Sequence, residues 1–421
     1  MVEVDDRTSP SVMYAAGLKK DFGSTAIVCA ALCVGMLSLL GCRDYCSYAL
    51  LPLLPLVLFE YRKVDRVCLL LLAFSAVYTF WQYVNGYHYS PSSILFGMLY
   101  PFIVYQAGGL IVEKQHNPKS AVVLILCMMS CLAIPAIVAN VYDAVETGQF
   151  VNESRKILNS AGDISRKPTV YGMMLCLLNG CMALVFIKAA DSVDKWIKFV
   201  LLVLCAGALF STVHLVNRTG IAIAMVSMAV AAVLPPYSLK KNGLQLGVFV
   251  LISALMAFIY NHPDSCPAIF DSYKSRDAGV GSVDTLGGRV ELWKTGIAHL
   301  FGKPFGSAEG VVFEGYHTYA HNMWIDAGIR GSIFSSILIL LFSAVYIRNL
   351  AVFYKYEIIS RFEKNIMLIV GVTLMLQFAV EPVIEGEPQL FWFFIFTASV
   401  IIHLNRKYRD TECCGKEPAG A

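Results

Sequence analysis

The chain has 421 residues, 57% hydrophobic and only 15% charged, with a formal net charge of +3. A soluble globular protein carries roughly 25% charged residues, so the composition argues against a water-soluble fold. No stretch is basic enough to suggest nucleic acid as a partner.

Residues 1–23 hold Asp5, Asp6, Arg7, Lys19 and Lys20 ahead of the first apolar run, and no small-residue cleavage site follows. This reads as a cytoplasmic N-terminus before a retained helix. Apolar runs of about 17–22 residues, the length that crosses a bilayer as a helix, then recur along the chain. They predict an all-α polytopic membrane protein with about twelve transmembrane helices. Nine lie within residues 24–260, near 24–41, 48–60, 67–84, 93–112, 121–141, 169–187, 196–216, 220–236 and 244–260. The second is short and contains Pro52 and Pro55, so it is kinked or lies partly in the interface. A polar segment at 261–330 forms a large, partly helical outer loop. Three more spans follow within 331–404, near 331–347, 366–383 and 389–404, and a tail at 405–421 ends the chain.

Most of the 33 Lys and Arg residues fall on one side of this arrangement when the N-terminus is set inside. The outer ones concentrate in the two long loops, 151–168 and 261–330, and the short outer turns 85–92 and 381–388 carry none. The positive-inside rule applies to short loops, so both termini are expected in the cytoplasm. The 13 cysteines lie mostly inside apolar runs and read as packing residues; Cys42 and Cys46 flank an outer loop and can form a disulfide. No Cys/His spacing resembles a zinc site, and no metal is expected.

Chemistry-bearing residues gather on the predicted outer face. Arg218, in Asn217-Arg218-Thr219-Gly220, stands at the outer end of a span. It is either a helix-end charge that snorkels or an anion clamp, since a guanidinium fork suits two phosphate oxygens. Within the outer loop, 286–301 reads as an amphipathic helix with Leu292, Trp293, Ile297 and Leu300 on one side, ended by Lys303-Pro304-Phe305-Gly306. Arg289 on it is a solvated charge or a ligand. His317 and His321-Asn322, crowded with Tyr316, Tyr319 and Trp324 before a span, are candidates for proton transfer. Asp326, about one turn later, can hold the imidazole tautomer or cap a helix. Glu381, Glu385 and Glu387 crowd the last outer turn, where they pair with an arginine, orient an acceptor sugar or stay solvated.

At these residues the chain resembles the O-antigen ligase and polymerase superfamily of bacterial membrane glycosyltransferases. Asn217-Arg218-Thr219-Gly220 is similar to the family's arginine element that opens a span. Gly288-Arg289-Val290-Glu291-Leu292-Trp293, followed by Lys303-Pro304-Phe305-Gly306, is similar to its loop element. His321-Asn322 with Gly328 and Gly331 is similar to its His-Asn…Gly-x-x-Gly signature. The likeness covers about residues 216–336 and rests elsewhere on hydropathy and span count. Two departures stand out. Only residues 323–327 separate His-Asn from the glycine pair, shorter than the ligase pattern by about one helical turn, and Ala222 stands where a leucine is usual.

The resemblance implies a metal-independent, inverting transferase without a cofactor, acting in surface polysaccharide (O-antigen or capsule) assembly at the bacterial inner membrane, with its site periplasmic. Its donor would be an oligosaccharide on undecaprenyl diphosphate, and its acceptor a glycan or glycolipid. Further partners would be membrane lipid, a chain-length regulator and a flippase. His321 would be the base, Asn322 its orienter, and Arg218 and Arg289 the diphosphate clamps; His317, Asp326, Glu381 and Glu385 would support them or the acceptor. The shortened signature favours a repeat-unit polymerase over a ligase to lipid A-core. A polysaccharide or lipid transporter is the reading from another class, against which ionisable residues are scarce in mid-span.

Overall fold

A computed structural model describes residues 25–37, 46–61, 63–86, 91–115, 117–152, 157, 168–185, 192–233, 247, 250–251, 289–313, 316–357 and 359–414. The predicted N-terminal segment, Cys42, nearly all of the span at 244–260 and the polar loop before Arg289 lie outside them. The described chain is helical apart from one short hairpin. Its helices are α1 (Thr25–Gly35), α2 (Leu53–Glu60), α3 (Arg66–Val84), α4 (Pro91–Lys114), α5 (Pro118–Thr147), α6 (Pro168–Val185), α7 (Ser192–His214), α8 (Arg218–Val233) and α9 (Arg289–Gly302). The hairpin β1 (Val311–Phe313) and β2 (Tyr316–Thr318) precedes α10 (Met323–Arg330), α11 (Ile333–Phe353), α12 (Arg361–Val380), α13 (Val383–Gly386) and α14 (Pro388–Cys414).

Local sequence explains many of these starts. Asp65 caps α3 by accepting the Cys68 N–H, and Asn117 caps α5 with Pro118 just inside it. Ser360 and Glu363 form a reciprocal capping box on α12. The predicted span at 48–60 divides into a 3₁₀ turn, Tyr48–Leu50, and α2, because Pro52 withholds an N–H from any continuous helix.

Six of these helices are long and apolar enough to cross a membrane, and four shorter apolar helices accompany them. The protein is therefore an all-α membrane protein. Burial separates the helices by role. The α14 window Pro388–Arg409 is 94% buried, whereas that of Asp194–His214 in α7 is 28% buried. An apolar helix buried all round is a core helix, and one with Trp196, Phe199, Leu202 and Val203 exposed faces lipid. α14 packs on α4, α5 and α11; α6 packs on α5, α7, α8 and α12; α12 touches both groups. Where α5 and α7 end together, His214 Nε2 meets Asp143 Oδ2 at 2.9 Å and Nδ1 faces the Phe150 carbonyl at 3.0 Å. His214 is thus part of a buried clasp between two helices.

The polar loop is folded onto this bundle. α9 crosses α10, and its buried line runs Leu292, Gly296, Leu300. Ile297, expected on that line, is 46% exposed. The reason is close approach at Gly296, where a Cβ would lie 2.8 Å from Ile325 Cγ2; the contact line passes through residue 296 and rotates 297 outward. The Lys303–Gly306 turn ends α9 as expected. It also caps α10 and α11: Ser307 N–H donates to Ile329 O at 2.8 Å, and Ile333 N–H to Pro304 O at 2.9 Å. Phe305 stacks on Trp81 of α3 at 4.8 Å.

Gly331 packs just as tightly. A Cβ there would lie 2.6 Å from Tyr78 Cδ2 and 2.9 Å from the Ala327 carbonyl. Gly331→Ala is expected to cost about 1–3 kcal/mol by overpacking, read as a lower thermal midpoint of the detergent-purified protein. An unchanged midpoint would mean that α3 has slack against this turn.

Candidate functional site

The site begins with the end of α12. Pro382 disfavours helical geometry in the residue before it, so the helix stops at Val380 and Glu381 is extended, with φ −138° and ψ 148°. The last carbonyls of a helix need outside donors. Two come from distant parts of the chain. Asn322 Nδ2 donates to Ala379 O at 3.2 Å, and Arg289 Nε donates to Val380 O at 2.9 Å. A cation at this helix end also matches the dipole.

Glu381 then joins two of the sequence candidates. Its Oε1 accepts from Arg289 Nη2 at 3.2 Å, and its Oε2 lies 3.6 Å from His321 Nδ1. The second distance is an ion-pair contact and too long for a hydrogen bond. Glu381 is 6% exposed, while the side chains of Arg289 and His321 are about a quarter exposed, at 24% and 26%. A buried carboxylate thus has a guanidinium on one oxygen and an imidazole on the other. Arg289 Nη2 is also 3.5 Å from Thr219 Oγ1. That contact brings the first turn of α8, where Arg218 stands half-buried, to the same place.

His321 has φ +54°, and Val216, two residues before Arg218, has φ +53°. Among the described residues these are the non-glycine positions with positive φ. Left-handed geometry costs an L residue about 1–2 kcal/mol, and a β-branched valine there is a clear outlier. Strain of this kind collects where surroundings over-determine a functional geometry.

The Asn322 side chain makes its hydrogen bonds to backbone groups. Its Oδ1 caps α10, accepting from Trp324 N and Ile325 N at 3.2 Å each, while its Nδ2 holds the end of α12. Both oxygens of Asp326 likewise accept backbone N–H groups, from Ala320 at 2.7 Å and Asn322 at 2.9 Å. Burial and then the nearby Glu385 carboxylate push the Asp326 carboxyl upward; the two backbone donors pull against them, and one donor on each oxygen is the pattern of the ionised form. Glu385 Oε1 accepts from Tyr78 Oη at 2.6 Å. Burial raises this carboxyl as well, opposed by the Tyr78 hydroxyl. His317 lies on β2, paired with Val312 across the hairpin.

Of the expected residues, Glu381 touches both Arg289 and His321, and Asn322 and Asp326 shape the loop that carries His321. Arg218 enters through its neighbour Thr219, Glu385 stands on the next short helix, and His317 is on the hairpin strand. Sequence reasoning missed Tyr78 and Thr219, and understated Glu381; the Glu381-Pro382 pair was the available signal, since it ends a helix and leaves the carboxylate beyond it. Among the described residues, no group of three His, Cys, Asp or Glu side chains is arranged to hold a metal ion. The arrangement can accept a proton at an imidazole backed by a carboxylate, beside a fixed guanidinium and a helix N-terminus that attract an anion. No protein-family model matches this chain, and no curated protein matches it.

Proposed function

We propose that this protein is a membrane glycosyltransferase of the O-antigen ligase and polymerase kind. It transfers a glycan from undecaprenyl diphosphate to an acceptor sugar hydroxyl at the periplasmic face of the bacterial inner membrane. The observation that carries the reading is the meeting of Arg289, Glu381 and His321, three residues far apart in sequence, at the first turn of α8. The full topology in this reading has about twelve spans and both termini inside.

The chemistry follows from the geometry. His321 Nδ1 faces Glu381, so Nε2 is the nitrogen that takes the acceptor hydroxyl proton. The Glu381 carboxylate balances the imidazolium that forms. The acceptor oxygen attacks the anomeric carbon as the bond to the diphosphate breaks, and the leaving group gains negative charge. Arg218, at the positive end of α8, meets that charge. Arg289 has a second duty beside it, because its Nε and Nη2 also fix Glu381 and the end of α12. The repeat-unit polymerase remains the leading form and the ligase its alternative.

Purified protein in proteoliposomes with an undecaprenyl-diphosphate-linked oligosaccharide is expected to release undecaprenyl diphosphate and build longer lipid-linked glycan. Product only on addition of lipid A-core would mean the ligase, and no turnover with either acceptor would end the reading. Topology is tested separately. Lys294, exposed on α9, replaced as Lys294→Cys is expected to gain labelling by a membrane-impermeant maleimide added outside intact spheroplasts. Labelling only after lysis would put the site on the wrong side.

A further inference from the structure

We propose that Asp326 is a positioning residue: its buried carboxylate holds the peptide groups on both sides of His321 and so fixes where the imidazole points. The inference rests on the reading of His321 as the base. His321 has φ +54°, a conformation that a residue with a side chain keeps only where its surroundings hold it. Asp326 is 1% exposed and lies one turn into α10. One of its oxygens takes the Ala320 N–H at 2.7 Å and the other the Asn322 N–H at 2.9 Å. The carboxylate therefore straddles residue 321.

Helix capping does not account for this pattern. Asn322 already caps α10 through its own side chain. Ala320 stands two residues before that cap, where helix stability gives no reason to hold its N–H. The bond from Asp326 N–H to Asn322 O at 2.8 Å is the first helical bond of α10, so the carboxylate that reaches back past it is carried on a fixed turn. Held in this way, Nδ1 of His321 faces Glu381 at 3.6 Å, which leaves Nε2 for the acceptor. An amide at 326 has a single acceptor oxygen and turns an NH₂ toward a second N–H donor, so one of the two clamps is lost.

The test uses full-length protein in proteoliposomes with an undecaprenyl-diphosphate-linked oligosaccharide as the probe. Turnover per folded molecule, donor KM and the rate–pH profile are compared for Asp326→Asn, Asp326→Glu, His321→Ala and the double variant. Asp326→Asn is expected to lower kcat by about 10²-fold, the scale of a misplaced reacting group, with donor KM within about twofold. Its acid limb moves, because the imidazole no longer sits against Glu381, and it adds no further loss to His321→Ala. Asp326→Glu, with both oxygens on a longer arm, regains part of the rate. An unchanged kcat and pH profile in Asp326→Asn, or losses that multiply in the double variant, would overturn the proposal. Should Asp326→Asn fail to accumulate folded, Asp326→Glu decides: a displaced acid limb supports the clamp, and a wild-type profile overturns it. Wild-type turnover in His321→Ala would instead remove the base reading on which the clamp depends.

Discussion

His321→Ala is expected to abolish product while the protein still inserts and accumulates. Loss of a positioned base lowers rate by about 10²–10⁴-fold. The fold should tolerate the change. The ring is about a quarter exposed, and its Nδ1 contact with Glu381 is 3.6 Å, so no hydrogen bond is broken there. Glu381 keeps Arg289 at 3.2 Å, which leaves no buried charge without a partner. His321→Gly sharpens the result, because glycine accepts φ +54° without strain. It should be as inactive as the alanine variant and no less stable. The measurements are consumption of lipid-linked oligosaccharide, the surface polysaccharide ladder and thermal unfolding in detergent. A normal ladder from His321→Ala would remove the base assignment.

The fold was legible wherever hydropathy decides it. Runs of apolar residues mark helices to within a few residues, as in α3 (Arg66–Val84), which is long and apolar enough to cross a membrane, and α6 (Pro168–Val185), a shorter apolar helix. Helix α10 was not legible. Its eight residues are too few for a period to emerge, and it is held by neighbours: Trp324 Nε1 donates to Ser343 at 3.0 Å and Ser336 Oγ to Trp324 O at 2.7 Å. The same limit explains Asn322. Beside a histidine it invited a catalytic role, while its position before Met323 was already that of a helix cap. The residues of the site were visible one at a time, as types that do chemistry. Their meeting was not, because Glu381 reaches Arg289 and His321 only through the packing of α12 on α10. Spacing along a chain carries no information about such a contact.

Glu381→Gln and Arg289→Ala should both fail, and fail differently. Glu381→Gln keeps the shape and removes the charge that balances the imidazolium. A protonated ring is then harder to form. Turnover is expected to fall by about 10²-fold, the lower end of what a general base contributes. Arg289→Ala removes the cation from Glu381 together with the bond to Val380 O and the contact with Thr219. Stability separates the two. Glu381 is 6% exposed, and leaving a buried charge unpaired costs about 3–5 kcal/mol. The access of water at Arg289 brings the expectation to about 2 kcal/mol, close to one hydrogen bond to a charged group. The double variant Arg289→Ala/Glu381→Gln carries no stranded charge, so its thermal midpoint should lie above that of Arg289→Ala alone. Arg289→Lys is expected to recover the midpoint and little of the turnover, since an ammonium pairs with Glu381 and lacks the fork that reaches Val380 O at the same time. Wild-type turnover in Glu381→Gln would show that this carboxylate does not act on the proton His321 takes.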